Sequence, residues 1–264
     1  MDDADLLAAF DRQLRQRLVP PERGWVTERV GPVVRSTAPP GPDGGSIVEW
    51  SDLDEATADA EIAAQVEHFR GLGAGFEWKV YGHDRPADLS DRLLASGFVA
   101  EGEESLVVGR TDDVLAACAA AGPAADVLVR AVTPDDWAGV AAVADEVWAG
   151  RGEATVRRLA RELAHGSDPL DVAVAEVPGG LVVGVAWVRR HPGTDFASLW
   201  GGSVLPAWRH RGVYRALVAW RAALARRDGF THLQVDAAPT SRPILQRLGL
   251  RVLTTTRPYV WSPP

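Results

Sequence analysis

The chain has 264 residues, 46% of them hydrophobic and 24% charged, with a net charge of −8. That composition describes a globular protein with room for one large domain or two small ones. No apolar run reaches the roughly 18 residues of a membrane-spanning helix, and the acidic start MDDADLL lacks the basic region of a secretory signal. The single cysteine, Cys118, excludes an internal disulfide and a cysteine-built zinc site. The expectation is a cytoplasmic protein without a metal.

Taken in chain order, SIVEW (46–50) reads as a strand, followed by the acidic stretch SDLDEATADAE and a helix at about 54–71. GLGAGF (71–76) is glycine-rich, but it follows a helix and precedes a strand, so it reads as a helix-ending loop. Residues 76–108 then give a strand opened by Phe76, a turn holding His83 and Asp84, a leucine-rich helix, Gly97-Phe98 and a strand. In TDDVLAACAAAGPAAD (111–126), Thr111 can start a short helix with Asp112 and Asp113 in its first turn, and Gly122-Pro123 stops it. This is the expected linker, 111–125, between a domain at 1–110 and a domain at 126–264.

Beyond it, VLVRAV is a strand, and helices start near Thr133 and Glu153. DVAVAEV and LVVGVAWVRR are strands joined by Pro178-Gly179-Gly180, a hairpin turn. FASLWGGSV is a strand interrupted by Gly201-Gly202, a pairing that marks a bulge or a close backbone approach. A helix runs to about Arg227 with Val213, Leu217, Trp220 and Leu224 as its apolar stripe. The strand THLQVDA, a short helix at 241–248 and a last strand at about 252–260 complete the chain. The segment 230–261 repeats the pattern of 76–108, so the sequence reads as a two-copy repeat.

The charge is uneven. Residues 1–125 hold 23 acidic and 11 basic residues, and residues 126–264 hold 13 and 17. An anionic ligand is favoured in the second half. There the sequence VLPAWRHRGVYRAL leads from a strand into a helix through Arg209, His210, Arg211 and Gly212. A helix start offers unpaired amides and partial positive charge. Glycine lets backbone approach a phosphate, and the arginines add charge and bidentate donors. The segment reads as a pyrophosphate cradle. The Walker A and dinucleotide-binding glycine patterns are absent.

Arg209-His210-Arg211-Gly212-Val213-Tyr214 resembles the [QR]-x-x-G-x-[GA] loop of the GCN5-related N-acetyltransferases, and the order of elements over 127–261, closing on RLGL, is similar to that family's. The resemblance implies an α/β fold with a mixed, V-split sheet flanked by helices, here as two such domains in tandem. It also implies acetyl-CoA as co-substrate, its pyrophosphate on the backbone of 209–214 and its pantetheine beside Gly202-Ser203-Val204. The first half resembles a degenerate copy whose acidic loop would repel a pyrophosphate. Two departures stand out. Tyr214 occupies a Gly or Ala position, and Leu245 stands where many members carry a tyrosine that protonates the leaving thiolate.

The reaction this implies is transfer of an acetyl group to an amine, which needs the amine deprotonated. His232, Gln234 and Asp236 alternate onto one strand face. Asp236, nearest the carboxyl end, is the candidate base, with a turn-capping carboxylate as the alternative. Tyr259 is the candidate acid, or a core tyrosine. Ser241 either donates to the cofactor sulfur or caps the short helix. Trp148, Trp187 and Trp200 either line an acceptor cleft or belong to the core. No basic, aromatic-interleaved stripe points to nucleic acid. A homodimer stays open, and so does a second class of function, an acetyl-CoA-binding regulatory or scaffold protein without chemistry.

Overall fold

The structure, a computed structural model, describes residues 2–41, 45–124 and 126–263. Ala125, the end of the expected linker, lies outside them, as do Met1 and Pro264 at the ends of the expected domains. The first part of the chain runs α1 (Asp3–Phe10), β1 (Val26–Val30), β2 (Val33–Thr37), β3 (Ser46–Ser51), α2 (Ala58–Gly71), β4 (Phe76–Tyr81), α3 (Leu89–Ala95), β5 (Val99–Ala100) and β6 (Glu104–Arg110). Then follow α4 (Thr111–Ala120), β7 (Leu128–Ala131), α5 (Trp137–Val147), α6 (Gly152–His165), β8 (Leu170–Glu176), β9 (Val182–Arg190), β10 (Phe196–Val204), α7 (Val213–Arg227), β11 (His232–Ala237), α8 (Arg242–Arg247) and β12 (Arg251–Trp261).

The chain forms two compact units that interleave along the sequence. Unit 1 comprises Met1–Leu106, Asp236–Arg242 and Val252–Pro264; unit 2 comprises Val107–Val235 and Pro243–Arg251. This differs from a division into 1–110 and 126–264. The strand that ends the second half is built into unit 1, where Thr256–Trp261 of β12 pairs antiparallel with Phe76–Tyr81 of β4, and Tyr259 and Val260 pair with β5. The segment 111–120, expected as a linker, is helix α4 of unit 2, anchored by Thr111, whose hydroxyl donates to the Phe230 carbonyl at 2.9 Å.

In unit 1 the strands run β1-β2-β3-β4-β12. All neighbours are antiparallel except β3 and β4, which are parallel for three residues, Ser46↔Phe76 to Val48↔Trp78. Ile62, Val66 and Phe69 recur along one face of α2 at helical spacing. They pack on Phe76, Trp78, Leu93, Phe98, Tyr259 and Trp261, with the rings of Phe69 and Phe76 stacked at 4.2 Å.

In unit 2 the strand order is β11-β10-β9-β8-β7. The hairpin β8–β9 turns at Gly179 and Gly180, both at positive φ. Both faces of this sheet are covered, so its strands are apolar on both sides, with period two. Val172, Val174, Val185 and Trp187 pack beneath α5 and α6. The alternate residues Ala173, Ala175, Val183 and Ala186 pack with Val213 and Leu217 of α7. The small side chains on that second face let α7 come close. A Cβ on Gly184 would lie 3.2 Å from Leu217 Cδ1.

Candidate functional site

The site of unit 2 begins where β10 parts from β11. The two strands are parallel and paired only from Phe196↔His232 to Ser198↔Gln234, while β10 continues to Val204. Immediately beyond, β10 carries one extra residue against β9: Trp200 pairs with Trp187, and the next pair is Ser203↔Val185. Such a bulge frees backbone groups from the ladder and bends the strand. Gly201 (φ +58°) makes it; a Cβ there would lie 1.9 Å from the Trp187 ring. A Cβ on Gly202 would lie 2.8 Å from the Tyr214 ring. The glycine pair is required by side chains pressed against the backbone.

After Val204 a short turn, Pro206–Trp208, leads into the basic loop. His210 takes a left-handed conformation (φ 63°), uncommon for a residue with a Cβ, and Gly212 (φ 82°) is the N-cap of α7. No side chain caps that helix start, so its first-turn amides remain donors. Arg209, His210 and Arg211 are exposed. Arg209 Nε donates to the Val204 carbonyl at 3.2 Å, and Arg211 stacks over Trp208 at 4.7 Å. Arg215 donates to the Gly122 carbonyl at 2.8 Å, which places Ala124 next to Gly212. Gly202, Ser203, Val204, Arg209, His210, Arg211, Gly212, Val213 and Tyr214 thus lie on one continuous strand, loop and helix start. Arrayed amides at a helix start with fixed positive charge can hold a phosphate group.

The loop between β3 and α2 of unit 1 places a carboxylate on two of its own amides, just before a helix start that also lacks a side-chain cap. After β3 and before α2, the Asp54 carboxylate accepts from the amides of Ala56 (3.0 Å) and Thr57 (2.9 Å) and from the Thr57 hydroxyl (2.7 Å). Those bonds, from the Thr57 hydroxyl first, hold the Asp54 carboxyl below the usual range. Beyond the stretch of β3 paired with β4, the Glu49 carbonyl accepts from Arg15 Nε at 3.0 Å. Arg15 is 4% exposed, lies over the Tyr81 ring, and is bound by Asp84 (2.7 and 2.8 Å) and Asp11 (2.9 Å). His83 pairs with Asp11 at 2.8 Å, so His83 and Asp84 belong to this anchor. Burial pushes the Glu49 carboxyl up to about 7 despite a hydrogen bond from Ser36. A carboxyl raised in the folded state stabilises the fold fully below its unfolded value and loses that contribution as pH rises through the folded one. Between pH 5 and 8 unit 1 is therefore expected to lose on the order of 2 kcal/mol through this group. Glu49→Gln should flatten that slope in urea unfolding measured across the interval; an unchanged slope contradicts the assignment.

The remaining sequence candidates are placed elsewhere. Tyr259, the candidate acid or core tyrosine, is 3% exposed in the apolar core of unit 1, paired with Trp78 and Ala100. Asp236 also falls in unit 1, where it accepts from the Tyr81 hydroxyl at 3.2 Å and pairs with Lys79 at 3.4 Å. Ser241 is in unit 1 as well, its hydroxyl donating to the Ala238 carbonyl at 3.2 Å in the turn before α8. Leu245 is fully buried. His232 and Gln234 are buried on β11; burial lowers the His232 pKa. Trp148 and Trp187 meet edge to face at 5.9 Å, and Trp200, 41% exposed, lies beneath Arg189 at 4.7 Å.

One buried group had no signal in the sequence. The buried face of α7 carries Arg221, 1% exposed, among Val218, Ala222 and Ala225, while Trp220 and Leu224 are only half-buried. Helical periodicity marks a stripe but does not fix its centre to within one residue, so an arginine beside the stripe reads as solvated. Among the described residues no group of His, Cys, Asp and Glu could hold a metal ion, and no helix is long and apolar enough to cross a membrane.

No family model matches the chain, and no curated protein sequence does. Solved structures do. A GCN5-related N-acetyltransferase from Kribbella flavida is similar over 99% of this chain and 96% of its own, with 14% identity and a TM-score of 0.68. A tandem GNAT protein from the clavulanic acid biosynthesis pathway is similar over 93% of this chain and 85% of its own, at 17% identity and a TM-score of 0.61. A protein of unknown function from Staphylococcus epidermidis is similar over 91% and 95%, at 13% identity and a TM-score of 0.68. The chain has the GCN5-related N-acetyltransferase (GNAT) fold, a mixed α/β architecture shared along nearly its whole length with these structures, a tandem GNAT protein among them.

Proposed function

We propose that this protein is an acetyl-CoA-dependent N-acetyltransferase with one cofactor site per chain, in unit 2. The observation that carries the reading is the uncapped start of α7 behind an exposed basic loop, placed directly after a bulged strand that leaves its parallel neighbour. The pyrophosphate is assigned to the amides of 209–214 with Arg209 and Arg211, and the pantetheine to the strand end 202–204. The thioester then comes to the bulge at Gly201-Gly202. An amine attacks the thioester carbon there, and its proton leaves to water. Asp236, held by Lys79 and Tyr81, is not assigned that step. The acidic loop of unit 1 puts its own carboxylate on the amides of Ala56 and Thr57, which supports a single site.

A non-catalytic acetyl-CoA binder is the second reading. It is favoured by one observation: Leu245, where a tyrosine acid is expected, has no proton to give, and Tyr259 is buried in the core of unit 1. Both readings need the cofactor site. Isothermal titration with acetyl-CoA should give one site per chain. Charge reversal in the double variant Arg209→Glu/Arg211→Glu should weaken it at least ~100-fold, since each lost charged bond is worth roughly 1.5–3 kcal/mol. Unchanged affinity in a folded variant contradicts the assignment. Release of free thiol from acetyl-CoA on addition of an amine panel separates enzyme from binder.

A further inference from the structure

Among the described residues the buried arginine of α7 meets carbonyls and neutral side chains and no carboxylate. Arg221 Nε donates to the Leu217 carbonyl at 3.0 Å, and Nη1 to the carbonyls of Trp200 (3.2 Å) and Trp187 (3.4 Å). Nη2 is buried without a hydrogen-bond partner, and a Cβ on Gly202 would lie 3.4 Å from it. The guanidinium therefore lies directly behind the bulge Trp200–Gly202. Its surroundings contribute little compensating charge. From α4 it faces the buried thiol of Cys118 and from its own helix the Tyr214 hydroxyl, while β9 and β10 offer the two carbonyls. Burial lowers its pKa to about 10, only partly opposed by Tyr214 and Cys118. A buried cation met only by neutral groups is costly, and buried groups with such perturbed charge cluster at functional sites.

We propose that Arg221 is the counter-charge for the thiolate that leaves when acetyl-CoA reacts at the bulge. This rests on the cofactor assignment above. In the transfer step a nitrogen–carbon bond forms, the carbon–sulfur bond breaks with its electron pair going to sulfur, and the amine proton passes to solvent. The negative charge on sulfur then develops beside Gly202, with the guanidinium behind the same residue. A fixed positive charge in a low-dielectric interior stabilises that anion without donating a proton. The role of a missing tyrosine acid is met by charge. Arg221 acts here through the backbone of the bulge, as a positioning and electrostatic residue.

The test compares CoA with desulfo-CoA, which lacks the thiol, by calorimetry from pH 7 to 9.5. A bound thiol held on the order of one pH unit low makes CoA bind about three- to ten-fold tighter at the upper pH, while desulfo-CoA changes no more than its phosphates dictate. Arg221→Met, which keeps the buried volume, should abolish the difference between the two ligands and leave desulfo-CoA affinity unchanged. Arg221→Lys should keep the difference. Equal pH dependence of the two ligands in the wild type, or a full difference surviving in Arg221→Met, overturns the proposal. If the Met variant does not fold, the wild type and Arg221→Lys decide it. Failure of both ligands to bind the wild type overturns instead the cofactor assignment, and this inference with it.

Discussion

Deleting residues 252–264 should unfold unit 1 rather than trim the end of the second half. These residues supply the last strand of that unit, in six successive pairs from Thr256↔Tyr81 to Trp261↔Phe76. They also supply Tyr259 and Trp261 to its core, 3% and 5% exposed. Loss of a buried aromatic costs roughly 3–5 kcal/mol. Two of them, together with an exposed edge on β4, reach the roughly 5–15 kcal/mol that holds a whole domain. Hydrogen exchange on residues 1–251 should show peptides 46–81 exchanging at unfolded rates. Native protection there contradicts the placement of β12 in unit 1. Residues 126–264 alone should fail for the complementary reason. They lack α4 and residues 107–110 of unit 2 and carry β12 without β4. A soluble, cooperatively folding fragment 126–264 is the opposing result.

The second large effect is expected at Arg15. Its guanidinium neutralises Asp84 and Asp11 and bonds the Glu49 carbonyl, just past the stretch of β3 paired with β4. Arg15→Ala leaves a buried carboxylate, Asp84 (4% exposed), without its cation. Breaking a buried pair on one side costs about 3–5 kcal/mol. Replacing both partners removes the stranded charge, so Arg15→Met/Asp84→Asn should recover more than half of the loss. Chemical denaturation followed through unit 1 measures both, and equal losses in single and double variants contradict this account of the ion pair. Acetyl-CoA stoichiometry should remain one per chain in either variant, because Asp54 still occupies the loop amides of unit 1.

The parts of this architecture that the sequence discloses are those built from neighbours in the chain. FASLWGGSV followed by Arg209–Tyr214 shows strand, bulge, basic loop and helix in order, because glycine, charge and apolar period act locally. The acidic SDLDEATADAE signals a loop hostile to phosphate. The structure adds that one of its carboxylates, Asp54, takes the amides itself. The placement of the final strand in unit 1 is invisible in sequence, since a β-forming segment such as RVLTTTRPYVW fits either unit and its partner is settled only by packing. Arg15 lies in an N-terminal segment whose pattern predicts no partner 69 residues away. Arg221 is hidden for a different reason. Its burial depends on Gly202 and the bulge carbonyls across the sheet, which no helical periodicity records.

The central claim, that the start of α7 is the one cofactor site, is tested most directly by hydrogen exchange with and without acetyl-CoA. On the proposed assignment, pyrophosphate would occupy the amides of 209–214 and pantetheine those of the bulge. Added acetyl-CoA should slow exchange in peptides covering 201–216 and leave peptides covering 52–58 unchanged. Protection at 52–58, or none at 201–216 under saturating acetyl-CoA, would contradict the account.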